Sequence, residues 1–367
     1  MDSIPGRATA EGTRRFQERA VARGRIPAAH FRGGPDGVAL SSIGLGTYLG
    51  PADGPTDASV EEAVVLAAGS GRSNVVDTAI NYRYQRAERS VGRAVRRLVD
   101  RGSVARDEIF LCSKNGYLAP DAESGVAPAQ YLETELFRRG VLRRSEVVDG
   151  SHAMSRSFLE DQFARSLRNL GIGAIDLMYL HNAPDAELPV LGRTAFLPRL
   201  REAFALYESF RKDGRLGWYG LATWDSLRSP HGDPSHLDVE DAVRIAEEVG
   251  GSSHGFRFLQ FPFNLSMPEP AVVRSQTVRG ARRTLFEAAR ELGLTCFTSV
   301  PLLQGELARG PPGDDGLTAA QTALQFARSA PGTLGPLVGQ KSPEHLSENL
   351  RVAELAPWDE ARFRSLL

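Results

Sequence analysis

Residues that can carry charge or transfer a proton stand at or just beyond the ends of short apolar runs. Asp77, Lys114 and His181 each close such a run, and Tyr82 follows Asp77 by five residues. Short apolar runs rich in β-branched residues are typical of buried strands. The pattern therefore predicts a carboxylate, an ammonium, an imidazole and a phenol at the carboxyl ends of buried strands.

These groups suggest acid–base chemistry at an oxygen atom. A phenol is a poor acid at neutral pH because its pKa lies near about 10, but a neighbouring ammonium stabilises the phenolate and lowers that pKa. A carboxylate would keep the ammonium charged and oriented, and a neutral imidazole can donate a hydrogen bond to a carbonyl oxygen. Together they would protonate an oxygen on which negative charge develops, as in carbonyl reduction by hydride. Singly, each residue has an ordinary structural explanation.

The composition describes a globular protein and excludes several classes of partner. Hydrophobic residues make up 41% of the 367 residues and charged residues 24%, which suits a chain with a sizeable core. A formal net charge of -1 gives no electrostatic case for nucleic acid or an anionic membrane. The apolar runs are too short to span a bilayer, and the amino terminus has no signal-peptide core. We expect a cytoplasmic protein in which Cys112 and Cys296 are buried free thiols.

Lysine is used rarely. Of 44 Lys plus Arg residues, only Lys114, Lys212 and Lys341 are lysines. Arginine holds its proton at any working pH, whereas an ammonium can be tuned by its surroundings. A lysine kept against this bias is a candidate for a specific role, and chance retention at the surface is the ordinary alternative.

The candidate residues belong to a regular alternation of strand and helix patterns that starts at Ile43. Strands are predicted at 43–47, 75–78, 108–113, 174–180, 216–222, 256–261, 294–300 and 333–338, and helices at about 56–68, 86–99, 155–170, 198–212, 237–249, 279–292, 317–328 and 343–355. Strands that are apolar throughout are typical of a parallel sheet covered by helices. Eight units without a break favour a closed (β/α)8 TIM barrel over an open, doubly wound sheet.

Further segments are predicted outside the regular repeat. Residues 1–38 form an extension, with a helix at about 11–23, that packs on the barrel of residues 39–367. Two long loops leave the carboxyl ends of strands, at about 115–154, with a short helix near 129–139, and at 262–278. Because the carboxyl face of such a barrel carries the chemistry, we expect these loops to shape a substrate pocket.

The order of motifs resembles the aldo-keto reductase superfamily from about Ile43 to Leu355. The segments that carry the resemblance are Gly44–Thr47, Asp77–Ala79 with Tyr82, Phe110–Lys114, Ser166–Leu170, Asp176–His181, Pro301–Leu302 with Gly305 and Leu307, and Glu348–Asn349. The resemblance implies a catalytic tetrad of Asp77, Tyr82, Lys114 and His181. In that tetrad Tyr82 donates the proton and Lys114 tunes it. Asp77 holds Lys114, and His181 orients the substrate carbonyl.

The resemblance also implies a cofactor site for NADPH or NADP in preference to NAD. Lys341 and Ser342 resemble contacts to a 2'-phosphate, just before a helix N-terminus that would favour an anion. Gln260 matches the glutamine that bonds the nicotinamide carboxamide. The cofactor residues implied are Gly46, Thr47, Thr223, Gln260, Ser299, Pro301, Leu302, Gly305, Gly339, Lys341, Ser342, His345 and Asn349.

Some of these positions depart from the family pattern. Ala222-Thr223 replaces the usual Ser-Asn pair, so Thr223 alone is left to supply a side-chain contact. Ser299 stands where many members stack an aromatic ring on the nicotinamide, and His345 where many have an arginine. The affinity and pose of the cofactor are therefore expected to differ, whereas the acid–base groups are intact.

Other reaction types have little support in the sequence. No Gly-x-Gly-x-x-Gly fingerprint follows a strand, which argues against a Rossmann dinucleotide site. The seven His residues are scattered without metal-ligand spacing, and no Gly-x-Ser-x-Gly elbow indicates a nucleophilic serine.

We therefore expect an NADPH-dependent oxidoreductase that reduces an aldehyde or ketone to an alcohol, or runs the reverse oxidation. Candidate substrate-pocket residues are Tyr48, Asn115, Tyr117, Asn182 and Trp224. The two asparagines favour a hydroxylated substrate, such as a sugar or a natural-product intermediate. The alternatives are reduction of a C=N bond, a non-catalytic NADP-sensing regulatory module, and a non-redox barrel such as an isomerase or lyase.

Overall fold

A closed barrel of eight parallel strands forms the centre of the molecule. The computed structural model describes residues 2–313 and 316–367. Each strand pairs with its neighbours in chain order, and the eighth closes on the first. The strands, numbered β1 to β8, are Gly44–Gly46, Val75–Asp77, Phe110–Asn115, Ile175–His181, Leu216–Ala222, Phe256–Pro262, Thr295–Ser299 and Thr333–Gly339. The prediction of a (β/α)8 TIM barrel is confirmed.

A helix follows each strand and covers the barrel. These helices, α1 to α8, are Gly54–Gly69, Arg86–Asp100, Arg156–Leu170, Ala183–Lys212, Val239–Gly250, Leu285–Glu291, Ala319–Ser329 and Pro343–Leu350. Gly171 ends α3 in the left-handed conformation that glycine adopts without cost. α4 begins well before the predicted 198–212 helix and bends at Gly192, whose φ is 71°. α8 is shorter than predicted, because Arg351–Glu354 forms a 3-10 turn.

The amino-terminal extension closes the lower end of the barrel. A hairpin of Phe31–Gly33 and Ala39–Ser41 carries Val38 and Leu40 into the apolar cluster that fills the barrel interior with Phe110 and other strand residues. A helix at Ala10–Ala22 precedes this hairpin. The opposite end, where the carboxyl ends of the strands meet, is the end that holds the candidate site.

One predicted helix is wrong at its start. Residues 279–284 do not extend α6 backwards, because Ala281–Arg283 pairs antiparallel with Gln276–Val278 as a hairpin. Arg279 and Gly280, with φ of 49° and 76°, form its turn. Thr284 then caps α6 by accepting a hydrogen bond from Glu287 N at 3.2 Å.

The long insertion after β3 is ordered and returns to the barrel. It contains a helix at Pro128–Leu132 that continues as a π-helical turn at Glu133–Phe137. A short helix at Glu269–Val272 lies in the second predicted loop. Cys112 and Cys296 are buried and unpaired, as predicted. Among the described residues, no helix is long and apolar enough to cross a membrane.

Candidate active site

Lys114 and Asp77 form a buried ion pair at the carboxyl ends of β3 and β2. Asp77 lies opposite Cys112 in the parallel register, and Lys114 follows two residues later on the same face of the sheet. Lys114 Nζ donates to Asp77 Oδ2 at 2.5 Å and to Thr78 O at 2.9 Å. Burial lowers the pKa of Lys114 most, but the charges of Asp77 and Tyr82 and the hydrogen bonds to them together outweigh it, so the pKa is raised overall. The ammonium therefore stays charged although it is buried away from solvent.

Asp77 is held in turn by groups on the neighbouring strands. Gln260 at the end of β6 donates from Nε2 to Asp77 Oδ1 at 2.9 Å, so both carboxylate oxygens have partners. Thr47, just after β1, donates from its hydroxyl to Asp77 O at 3.1 Å. The resemblance assigned Gln260 to the nicotinamide carboxamide. In the structure its Nε2 donates to Asp77, so Oε1 is the atom that remains for a contact with a carboxamide.

Tyr82 lies on the loop after β2, beside this ion pair. Lys114 Nζ is 4.6 Å from the centre of the Tyr82 ring. The ring meets Tyr48 and His181 edge to face, with centroids 5.0 Å and 5.6 Å away. Burial raises the pKa of Tyr82 and outweighs the lowering by Lys114. The lowering expected from the sequence is present, but it does not set the net direction.

His181 ends β4 and presents a neutral imidazole to Tyr82. Burial lowers its pKa well below the ordinary value, and the charges of Lys114 and His152 lower it further. Its Nδ1 lies 3.2 Å from Oδ1 of Asn81, which directly precedes Tyr82. A half-turn of the Asn81 amide would present a donor to Nδ1 and leave the ring proton on Nε2. Asn81 thus decides which nitrogen can donate.

The turn after Tyr82 is strained. Arg83, Tyr84 and Gln85 have φ of 48°, 54° and 72°, a left-handed region that costs non-glycine residues of order 1 to 3 kcal/mol each. Side-chain bonds hold the turn: Arg83 Nη1 donates to Asp57 Oδ1 at 2.5 Å, and Gln85 Nε2 donates to Ala119 O at 3.1 Å. None of these three positions is Gly or Asn, so no local pattern predicts the turn. Strain of this kind is common beside functional groups.

Aromatic and amide side chains surround the acid–base groups. Tyr48 is 59% exposed and Trp224 38% exposed. The Tyr117 ring lies edge to face with His181 at 5.1 Å, and its hydroxyl accepts from Asn182 Nδ2 at 3.3 Å. Of the predicted pocket residues, Asn115 lies deepest, 1% exposed, with Oδ1 accepting from the Tyr207 hydroxyl at 2.5 Å.

Asp185 organises the loop that follows β5. Its carboxylate accepts the main-chain N–H groups of Trp224, Asp225 and Ser226 at 3.1, 2.6 and 2.9 Å. Thr223 N donates to Gln260 O at 2.8 Å. This network fixes Thr223 at the mouth of the barrel, and the sequence did not single out Asp185.

Apart from Thr47, Thr223 and Gln260, which lie near Asp77, the residues implied for the cofactor lie on the other side of the mouth. Gly46 in β1 pairs with both Asp77 and Gly339, so this strand joins the two sides. Ser342 caps α8 by accepting from His345 N at 3.2 Å. Ser299 ends β7, and beyond it lie Pro301, Leu302 and Gly305, the last with φ of 95°.

Several buried polar atoms on this side have no hydrogen-bond partner within the described part of the chain. They are both amide atoms of Gln340, Oδ1 of Asn349 and Oγ1 of Thr223. Gln340 and Asn349 are only 4% and 2% exposed. Unpaired buried atoms of this kind indicate a site that a polar ligand would complete. Gln340 was not among the predicted residues.

The lone histidine of the insertion was also missed. His152 is fully buried, with Nε2 3.0 Å from the main-chain oxygen of His181 and Nδ1 2.8 Å from Glu187 Oε1. A single histidine in a polar insertion carries no sequence signal. Within the described residues, no group of three or more His, Cys, Asp or Glu side chains could hold a metal ion.

The fold and these side chains define an α/β barrel with an acid–base centre at the carboxyl ends of its strands. The family model described as "Aldo/keto reductase family" matches residues 42–230, just over half of the chain. The chain belongs to the aldo/keto reductase family. No curated protein matches the sequence.

Solved aldo-keto reductases share the fold at low sequence identity. The holo form of aldo-keto reductase AKR11C1 from Bacillus halodurans is 17% identical with a TM-score of 0.61, covering 92% of this chain and 95% of that one. An aldo/keto reductase from Klebsiella pneumoniae in complex with NADP and acetate is 20% identical with a TM-score of 0.55, covering 90% and 92%. An aldo-keto reductase from the same organism in complex with NADPH is 20% identical with a TM-score of 0.56, covering 90% and 91%.

Proposed function

We propose that this protein reduces an aldehyde or ketone to an alcohol with NADPH, and that Tyr82 supplies the proton. The observation that carries the proposal is the buried chain from Gln260 through Asp77 to Lys114, with Tyr82 and His181 beside it. A charged donor, a phenol and a neutral imidazole thus adjoin one another at the barrel mouth. An oxygen atom that gains negative charge there would be stabilised from several directions.

Each side chain then has one task. When bound, NADPH would supply a hydride to the carbonyl carbon. Tyr82 gives its phenolic proton to the carbonyl oxygen, and Lys114 stabilises the phenolate that remains. Because burial raises the pKa of Tyr82, the phenol stays protonated until the reaction needs its proton. With the Asn81 amide turned so that it donates to Nδ1, His181 donates from Nε2 to the same oxygen and orients it.

The cofactor side of the mouth supports a dinucleotide. Gln340, Asn349 and Thr223 offer buried polar atoms without protein partners in the described residues. Lys341 and the amino end of α8 would hold a phosphate group, since a helix N-terminus favours negative charge. The two Klebsiella pneumoniae enzymes of similar fold bind NADP and NADPH. We therefore infer that NADPH is preferred to NADH.

The surroundings of the acid–base groups favour a ring-bearing, uncharged, hydroxylated substrate. Tyr48, Tyr117 and Trp224 offer aromatic faces and edges on which a ring can pack. Asn182 offers an amide for a hydroxyl group. A sugar or an oxygenated natural-product intermediate meets both requirements.

Tyr82→Phe tests the acid–base assignment. Without the hydroxyl, turnover of a carbonyl substrate should fall by about 10²- to 10⁴-fold, the usual worth of a general acid. NADPH binding, measured by fluorescence titration, should persist. The measurement is loss of NADPH absorbance with a panel of aldehydes and ketones that includes sugars.

Other outcomes point to the alternatives. Unchanged turnover in Tyr82→Phe would refute the role of the phenol. Turnover of imines but not of carbonyls would favour C=N reduction by the same groups. Tight NADPH binding without any turnover would favour a regulatory sensor, and the absence of NADPH binding would favour a non-redox barrel.

A further inference from the structure

The insertion after β3 delivers His152 to the back of the candidate active site. The two ends of the insertion run side by side, with Ala153 N donating to Gly116 O at 2.9 Å. The buried His152 ring lies edge to face with Tyr117 at 5.2 Å. Tyr117 in turn contacts His181. The insertion therefore contacts the acid–base groups in two ways: through the buried His152 and through Tyr117 at the mouth of the barrel.

Both ring nitrogens of His152 face oxygen acceptors. Nε2 lies 3.0 Å from the main-chain oxygen of His181, and a carbonyl oxygen can only accept, so Nε2 carries a proton. Nδ1 lies 2.8 Å from Glu187 Oε1. The other oxygen of Glu187 is 3.3 Å from Arg199 Nη1, which favours the ionised carboxylate. When Glu187 is ionised both nitrogens donate, which makes the ring an imidazolium.

The position of the ring is closely fixed. Glu187 and His152 are both fully buried. Gly116 has φ of 123°, and a Cβ added there would lie 2.4 Å from His152 Nε2. The backbone at Gly116 thus packs directly against the imidazole, and a larger residue would displace it. The bond from His152 to the His181 oxygen is a constrained feature of the fold.

We propose that His152 is a positioning residue for His181. Its hydrogen bond to the His181 oxygen fixes the main chain at the end of β4, and its pairing with Glu187 holds a positive group close to the His181 imidazole. This inference rests on the proposed function, in which neutral His181 orients the substrate carbonyl.

Electrostatics support the second part of the inference. Burial lowers the pKa of His181 most, and the positive charges of Lys114 and His152 lower it further. Tyr82 and Tyr117 also face His181, and both are neutral phenols at neutral pH. The charged group that contacts His152 itself is Glu187 on α4, and Glu187 is in turn paired with Arg199. Removing the charge of His152 should therefore raise the pKa of His181.

Two substitutions separate the hydrogen bond from the charge. His152→Gln keeps an N–H that can reach the His181 oxygen but carries no charge, whereas His152→Ala keeps neither. If the position of His181 matters, kcat should fall on the order of a hundredfold in His152→Ala, because a small misplacement of a reacting group has an effect of that size. His152→Gln should recover most of that loss. The Kd for NADPH, from fluorescence titration, should stay unchanged in both variants.

A second readout needs no turnover. The ring resonances of His181 are followed by NMR through a pH titration of the cofactor-free protein, and assigned by their loss in His181→Asn. In the native protein the titration of His181 should lie well below that of an ordinary histidine, whereas in His152→Gln it should move to higher pH. If no carbonyl substrate is reduced by the native protein, the proposed function fails while this shift can still be seen.

The matched control is His254→Ala. His254 is also buried, but it precedes β6 at the opposite end of the barrel. Its loss should lower stability without moving kcat or the His181 titration, and equal changes would overturn the assignment. If His152→Ala does not fold, His152→Gln carries both readouts. An unshifted His181 titration together with an unrescued kcat in that variant would also overturn it.

Discussion

The two sides of the barrel mouth differ in how completely folding satisfies their polar groups. On the acid–base side, both carboxylate oxygens of Asp77 are bonded and Lys114 has two oxygen partners. On the cofactor side, Gln340 and Asn349 keep buried amide atoms unpaired within the described chain. Each such atom costs about 1 to 3 kcal/mol. The ion pair on the first side is satisfied without a ligand, although Thr78 Oγ1 and Asn115 Nδ2 near it are unpaired within the described chain. On the second side both amide atoms of Gln340 are unpaired, a cost that a ligand would remove.

This difference separates two requirements of catalysis. Groups that stabilise charge in the transition state act best when they are fixed before the reaction starts. Groups that bind a mobile cofactor must instead leave donors and acceptors free for it. Substitutions on the two sides should therefore differ in kind: the first should affect turnover and stability together, and the second should affect binding while sparing the stability of the free protein.

Lys114→Met should give the largest effect. The change leaves Asp77 buried without its counter-charge, which typically lowers the free energy of unfolding by about 3 to 5 kcal/mol. Turnover should fall on the order of 10³-fold, because Tyr82 loses the charge that stabilises its phenolate. Denaturant unfolding and steady-state kinetics measure the two losses.

A double variant distinguishes catalysis from stability. Lys114→Met combined with Asp77→Leu removes both charges, and replacing a whole buried pair is often nearly neutral for stability. Stability should then recover in large part while turnover stays low. Recovered turnover would contradict the role given to Lys114.

Gln340→Leu tests the unsatisfied side. Removing an amide that has no partner among residues 2–313 and 316–367 should leave the cofactor-free protein as stable as before, or more stable by about 1 kcal/mol. NADPH should bind about tenfold more weakly, equivalent to about 1.4 kcal/mol. Fluorescence titration and denaturant unfolding of the free protein provide the two measurements.

Gln325→Leu is the matched control. Gln325 is also buried, but its Nε2 donates to Ala356 O at 3.0 Å and its Oε1 accepts from Arg328 at 3.0 Å. Its loss should destabilise the protein by about 1 to 3 kcal/mol and leave NADPH binding unchanged. If the two glutamine variants behaved alike, the distinction between the two sides of the mouth would not hold.

The fold and the gathering of the candidate residues followed from local patterns in the sequence. Apolar runs mark buried strands, and the end of each run marks where Asp77, Lys114 and His181 come together. The wrong prediction for the start of α6 also has a local cause. An Arg-rich segment has no strong preference, and the hairpin at 276–283 depends on pairing within the fold.

The features that could not be predicted from the sequence depend on how deeply a side chain is buried and on contacts between distant segments of the chain. The pKa of Tyr82 is raised because the partly buried ring loses contact with water, and no sequence pattern near residue 82 predicts that depth. His152 meets Glu187 and His181 only because a long insertion folds back to the barrel. Both side-chain amide atoms of Gln340 lack a hydrogen-bond partner in the described part of the chain. Only the three-dimensional structure can show this.

Lys341→Met should give the smallest effect and refine the comparison on the cofactor side. Lys341 is partly exposed, so its charge is screened and worth about 1 kcal/mol, or roughly fivefold in binding. If it contacts a 2'-phosphate, NADPH should bind more weakly while NADH binding stays the same, and the difference should shrink at high salt. Lys212→Met, at the exposed end of α4 away from the mouth, should change neither. Equal weakening for NADPH and NADH would place Lys341 elsewhere on the cofactor, since only a contact to the extra phosphate can tell the two dinucleotides apart.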